Sequence, residues 1–266
     1  MFKTRLLSGI VLVILALFFI ISGGNILWCS TLVISLIGLY EFYRVFKIQT
    51  SSIGYEGYIV TILYYLSLSF IPNEFMFLVL VGGFIALLAC FVLQYPKYQA
   101  GEIMAAAFGV FYVSIMLSYI YQTRMLEDRG AYLVWLIFLC SWGSDTCAYC
   151  LGVLFGKHKM APILSPKKSI EGAVGGVVGA ALLTALYCYI FRTQMDVTNT
   201  EILILSLGAC VGALISMIGD LAASAIKRNY DIKDYGKLIP GHGGILDRFD
   251  SVIITAPIIF YLGGLI

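Results

Sequence analysis

Apolar runs long enough to cross a bilayer recur along almost the whole chain, and they constrain its fold more than any other feature. A hydrocarbon core about 30 Å thick needs roughly 20 apolar residues per helix. Such runs lie at residues 6–22, 25–43, 55–71, 75–94, 103–121, 131–155, 172–191, 202–226 and 247–266. The mean hydropathy of +0.95 and a charged fraction of 12%, against about 25% in soluble domains, exclude an ordinary soluble fold. The expectation is an all-α, polytopic integral membrane protein with about nine transmembrane helices. The third run is the weakest, because tyrosines interrupt it. Lys3 and Arg5 followed by apolar residues imitate a secretory leader. The apolar stretch is longer than a leader's core and no Ala-x-Ala site follows, so it reads as a first membrane helix.

Basic residues decide the expected orientation. With the N-terminus cytoplasmic, only Arg124, Arg129 and Arg192 of the 17 Lys and Arg residues fall outside. That asymmetry is a strong positive-inside signal. The two long inner loops, 156–171 and 227–246, then face the cytoplasm. Seven cysteines, mostly inside apolar runs, do not suggest a disulfide framework. Cys147 and Cys150 form a Cys-x-x-Cys without a partner pair and read as packing residues. Glu41 and Arg44, three apart at a helix end, read as a surface pair or a loop-edge solvation feature. The abundant Tyr and Phe of the first half suit lipid-facing and interfacial positions. The natural division is an N-terminal scaffold, residues 1–130, and a C-terminal catalytic region, residues 131–266.

Unusual chemistry is concentrated in that second part. Asp145, in Ser141-Trp-Gly-Ser-Asp-Thr-Cys-Ala-Tyr149, sits well inside an apolar run. An ionisable group there is costly unless paired or hydrated, which marks it as a functional candidate. Gly156–Gly172 carries four lysines and two prolines, with Lys167 and Lys168 directly before a helix start, where free N–H groups also favour anions. Gly172, Gly175, Gly176 and Gly179 make overlapping Gly-x-x-x-Gly pairs that permit close helix packing. In Asp220–Ser251, Asp220, Ser224, Lys227 and Arg228 share one helical face. A polar loop leads to Ile-Pro-Gly-His242-Gly243-Gly244, followed by Asp247, Arg248 and Asp250.

Carboxylates beside lysines, arginines and a Gly-rich turn suit a metal bound to phosphates. Hard oxygen donors without a His/Cys cluster point to Mg²⁺ rather than zinc. Lys167, Lys168, Lys227, Arg228 and Arg248 would neutralise phosphate charge, and the backbone at Gly243 and Gly244 could approach a phosphate closely. His242 could donate to a phosphate, move a proton or brace the loop. Positioning and charge stabilisation of this kind serve transfer between phosphorus centres. The residues alone do not name the substrates.

The long motif Ser224-x-Ile-Lys227-Arg228-x4-Lys233-Asp234-x-Gly236-x2-Ile-Pro240-Gly-His242-Gly243-Gly244-Ile-x-Asp247-Arg248-Phe-Asp250 resembles the signature of the phosphatidate cytidylyltransferases, or CDP-diacylglycerol synthases. Asp145-Thr-x-Ala-Tyr and Ser165-Pro-Lys167-Lys168-Ser-x-Glu171-Gly172 also resemble family segments, with Cys147 standing where a small residue is expected. The resemblance covers residues 141–251. It implies that CTP and phosphatidic acid give CDP-diacylglycerol and pyrophosphate with Mg²⁺, in phospholipid biosynthesis. It also implies Asp220 and Asp247 as metal ligands and Asp145 as a further acid. Lys227, Arg228 and Lys233 would bind phosphates, and Lys167 and Lys168 would reach the nucleotide or the lipid headgroup; Ser224, His242, Gly243, Gly244 and Arg248 complete the expected binding set. A monovalent cation such as K⁺ and a homodimer are further implications, neither legible in the residues. The partners this resemblance implies are CTP, phosphatidic acid and the lipid bilayer, with no nucleic acid. The expected location is the bacterial cytoplasmic membrane, with the site on its cytoplasmic side. Two alternatives remain open at this level: a CTP-dependent lipid or polyprenol kinase, and an ion or anion transporter.

Overall fold

The structure, a computed structural model, describes the backbone of residues 2–265 and the side chains of residues 7–72 and 75–265. The side chains of Lys3 and Arg5, counted in the charge asymmetry, lie outside the described residues. Among the described residues, the regular structure is helical apart from one small hairpin. In order, its elements are α1 (Phe2–Ser22), α2 (Gly24–Val45), α3 (Ser52–Phe70), α4 (Asn73–Leu93), α5 (Ala100–Arg124) and α6 (Gly130–Phe155). They are followed by β1 (Lys159–Ala161), β2 (Ser165–Ser169), α7 (Ile170–Ile190), a single helical turn (Arg192–Met195), α8 (Asn199–Asn229) and α9 (Leu246–Gly263). Among the described residues, six helices are long and apolar enough to cross a membrane: α2, most of α4 from Phe75, α5, α6, α7 and α8. The apolar part of α1, Leu7–Ser22, is shorter. Helix α9 opens with Asp247, Arg248 and Asp250 and contains Pro257.

The chain forms two compact units, residues 1–118 with 234–247, and residues 119–233 with 248–266. In the first, polar side chains inside apolar helices find partners in neighbouring helices. Trp28 Nε1 donates to the Tyr65 carbonyl at 2.9 Å, Ser35 Oγ meets Tyr65 Oη at 2.7 Å, and Tyr43 Oη donates to the Ala106 carbonyl at 2.8 Å. Thr61 and Ser114 pair at 2.8 Å. A bilayer offers no water to such groups, so they are satisfied internally. This corrects the lipid-facing reading for part of the aromatic set: Tyr43, Tyr64 and Tyr65 are fully buried. The tyrosines that weakened the third run as a span are the groups that tie α3 to its neighbours.

In the second unit α6, α7 and α8 pack through the small-residue seam. A Cβ on Gly172 would lie 2.7 Å from the Ala148 carbonyl, and one on Gly176 would lie 2.9 Å from Ser144 Oγ. The opposite face of α7 leaves Val174, Val178, Leu182 and Leu186 exposed at intervals of four, as a lipid-facing stripe would be. The loop expected at 156–171 is an antiparallel hairpin pairing Lys159 with Ser169 and Ala161 with Ser165. Ser169 then caps α7 by accepting from the Gly172 N–H at 3.2 Å. Thr198 and Glu201 form a capping box at the start of α8, and Arg129 Nη1 donates to Glu201 at 2.8 Å. At 31 residues, α8 is roughly 46 Å long at 1.5 Å per residue. It therefore exceeds a hydrocarbon core by about the length of its polar end, Asp220–Asn229.

Candidate active site

Within the second unit, Asp220 stands on α8 and forms an ion pair with Lys168 of β2. Helix α6 supplies Asp145 directly after a π-helical segment, Leu139–Gly143. The helix around Asp145 is thus not the unbroken one its hydropathy implied. Segments of this kind widen a helix locally and often mark functional positions. Asp145 accepts from Ser251 Oγ of α9 at 3.2 Å. Asp250 is buried at 8% exposure, accepts from the Ser251 N–H at 2.8 Å, and lies within electrostatic reach of Asp220, Lys227 and Asp145. Close approach of α8 and α9 depends on Gly219, where a Cβ would sit 2.9 Å from the Asp250 carbonyl.

Asp145 and Asp220 border a cavity of about 470 Å³. Its charged lining is Asp145, Asp220, Lys159, Lys167 and Lys168, and its apolar wall includes Val153, Met160 and Met217. Lys227 and Ser224 are buried, and Arg228 and Lys233 are exposed. Arg228 departs from the shared-face expectation: its Nη1 donates to the Ile232 carbonyl at 3.3 Å, at the helix end. The Arg248 side chain lies within electrostatic reach of Asp145. Its buried Nε finds no hydrogen-bond partner among the described residues, which leaves a charged donor for an anion.

The first unit holds the rest of the expected set, in a different role. Asp247, at 6% exposure, directs Oδ2 at three backbone N–H groups: Tyr235 at 2.8 Å, Gly244 at 3.0 Å and Gly236 at 3.4 Å. The Gly244 N–H, expected to meet a phosphate, donates inward to Asp247 instead. Gly243 takes φ +86°, in the left-handed region that favours glycine, and its carbonyl accepts from the Ile239 N–H at 2.8 Å. His242 Nδ1 lies 2.7 Å from Ser8 Oγ, and Ser8 Oγ also reaches the Pro240 carbonyl at 3.1 Å. Of the roles open to His242, bracing is supported by this contact with Ser8.

Glu41 is the correction of most consequence. Read as half of a surface pair, it is 4% exposed and accepts from the Ile245 N–H at 3.1 Å and the Leu246 N–H at 2.9 Å. Arg44 donates to the Tyr235 carbonyl rather than to Glu41. Sequence reasoning missed Glu41 because its partners are backbone amides about two hundred residues away. It passed over Asp250 as a site acid although the motif contains it.

Among the described residues no group of three or more His, Cys, Asp or Glu side chains is disposed to hold a metal unaided. Mg²⁺ does not require one, since it is commonly held by one or two carboxylates, with water and substrate phosphates completing its shell. Buried acid beside acid, with lysines around them, fits such a substrate-completed cation.

The chain as a whole is similar to known proteins. The profile described as the cytidylyltransferase family matches residues 3–266. A Bacillus subtilis protein named phosphatidate cytidylyltransferase is 30% identical over 269 residues, covering 98% of this chain and 97% of that protein. Proteins of the same name from Staphylococcus saprophyticus and Staphylococcus epidermidis are 32% and 35% identical, each alignment covering 97% of both chains. Coverage from the first helix to the last, and not through the charged motif alone, means that this chain belongs to the cytidylyltransferase family.

Proposed function

We propose that the protein is a phosphatidate cytidylyltransferase that makes CDP-diacylglycerol and pyrophosphate from CTP and phosphatidic acid. The observation that carries this reading is the cavity of the second unit, where lysines and aspartates meet an apolar wall. A phosphate headgroup suits the lysines, and the glycerol and first acyl carbons suit Val153, Met160 and Met217. An oxygen of the lipid phosphate forms a bond to the α-phosphorus of CTP as the bond from that phosphorus to the β-phosphate oxygen breaks. Pyrophosphate leaves with that electron pair. The attacking oxygen is already anionic near neutral pH, so no strong general base is needed.

Bound Mg²⁺ would offset the charge gathering on the transferring phosphoryl group and the leaving pyrophosphate. Asp220 and Asp250 are the residues proposed to hold it, with Asp145 beside them. Asp247 enters the metal set through the motif, and its own unit uses its Oδ2 as a brace. Lys168, paired with Asp220, would transfer its contact to a phosphate when substrate arrives, and Lys167 would approach from the exposed side. Lys227 and the unpartnered Nε of Arg248 would hold phosphate oxygens by charge-assisted hydrogen bonds; Arg228 and Lys233 would attract the polyanion from solvent. A monovalent cation and a homodimer belong to the same proposal by family likeness alone. The topology of nine spans, with the N-terminus and the 156–171 and 227–246 segments in the cytoplasm, is also part of it and rests on the apolar runs and the charge asymmetry.

Incubation of purified protein with labelled CTP and phosphatidic acid, with and without Mg²⁺, tests the reading. Mg²⁺-dependent release of pyrophosphate with labelled CDP-diacylglycerol is expected. Release of CDP would assign a kinase, and ion flux without CTP turnover would assign a transporter.

A further inference from the structure

We infer that Glu41, on the second helix, is a positioning residue for the transfer reaction: it holds the Gly-His-Gly-Gly turn and the first turn of α9 in register. The inference rests on the proposed cytidylyl transfer. The groups that form the brace, Glu41, Arg44 and the 235–247 segment, lie in one compact unit.

A helix N-terminus has unpaired N–H groups, which are commonly satisfied by a local side chain. Here the acceptor at the start of α9 is remote. Glu41 Oε1 takes the Ile245 N–H and Oε2 takes the Leu246 N–H, so the carboxylate is used at both oxygens. A negative charge at that end is favoured by the helix dipole. Asp247 takes the N–H groups of Tyr235, Gly236 and Gly244. Two buried carboxylates thus organise five amides of one segment, and Arg44 adds a bond to the Tyr235 carbonyl. Glu41 is therefore a brace from the N-terminal helices onto the most chemically dense part of the motif.

The same geometry explains why one glycine of the motif is a glycine. Gly243 needs its left-handed backbone, but Gly244 is not among the positive-φ residues. What a Cβ at Gly244 would strike is the Glu41 carboxylate, at both oxygens and at Cδ. Gly244 is small because Glu41 must reach past it to the amides of Ile245 and Leu246. The motif's last glycine and an acid two hundred residues earlier form one structural unit.

The test uses the full-length protein in detergent or nanodiscs. Its variants are Glu41→Gln, Glu41→Ala, Gly244→Ala and the double Glu41→Ala/Gly244→Ala. Glu41→Ala should lower kcat per folded molecule about a hundredfold, the scale of a small misplacement of reacting groups, and leave KM for CTP within about twofold. Amide exchange at Ile245 and Leu246 should quicken. Glu41→Gln keeps one carbonyl oxygen and the side-chain volume, and should retain kcat within about tenfold of wild type. Gly244→Ala alone should reproduce the loss in kcat, whereas adding it to Glu41→Ala should cost less than about threefold more, because the collision has gone. A purely structural brace would lower the folded fraction and the melting temperature, with kcat per folded molecule unchanged. That result, or full multiplication of the two single losses, overturns the inference. If the wild type fails to release pyrophosphate, the proposed activity falls, and exchange at Ile245 and Leu246 in Glu41→Gln still decides whether the brace exists. Unchanged exchange there and in Glu41→Ala overturns it.

Discussion

Asp247 offers the sharpest test of how the loop before α9 is built, because a brace and a metal ligand respond differently to the same substitutions. Its Oδ2 accepts two short bonds, 2.8 Å from Tyr235 and 3.0 Å from Gly244, and a long one at 3.4 Å from Gly236. At 6% exposure no water stands ready to replace it. Counting only the two short bonds, at about 1.5–3 kcal/mol for each hydrogen bond to a charged group, Asp247→Ala should cost roughly 3–6 kcal/mol. Asp247→Asn keeps a carbonyl oxygen at the same place and loses only the charge assistance, so it should cost about 1–3 kcal/mol. At roughly 2–4 °C per kcal/mol for a domain of 150–250 residues, Asp247→Ala should melt at least about 6 °C below wild type, with Asp247→Asn between them. Thermal unfolding of detergent-purified protein, followed by intrinsic fluorescence, reads this order. If Asp247→Ala melts with wild type, the three-amide brace carries no weight and the reasoning fails. Mg²⁺ titration of pyrophosphate release by the Asn variant separates the roles. An unchanged Mg²⁺ midpoint leaves Asp247 as a brace alone, and a raised midpoint or lost turnover adds it to the metal set.

Two further outcomes are expected. Asp250→Asn retains an acceptor for the Ser251 N–H but removes a buried charge beside Asp220. It should fold normally and lose at least about a hundredfold in pyrophosphate release, the scale of one charge-stabilising group; near-normal turnover would remove Asp250 from the proposed metal site. Gly172→Val would push side-chain atoms against the Ala148 carbonyl, which is already 2.7 Å from an ideal Cβ. It should destabilise the protein by about 1–3 kcal/mol, as overpacking does, and a melting temperature equal to wild type would mean that α6 and α7 do not need that approach.

The sequence by itself determined the broad class and the inventory. Apolar runs of spanning length leave few folds open, because backbone groups in lipid must be paired within a helix or a closed barrel. The glycines of α7 announced a close seam, and the seam forms against Ala148 and Ser144. The acids and lysines of the second half were legible because an ionisable residue in or beside an apolar run is rare unless it is used. Tertiary structure alone decided what those groups meet. Asp247 turns toward amides of its own loop, Lys168 crosses to Asp220, and tyrosines that looked interfacial tie helices together inside the first unit. Glu41 is the clearest case. Its partners are backbone N–H groups, which every residue but proline carries, so no pattern of side chains in the sequence could have pointed from residue 41 to residues 245 and 246. Only a folded chain, by bringing that carboxylate to the unpaired end of a distant helix, makes the pairing visible.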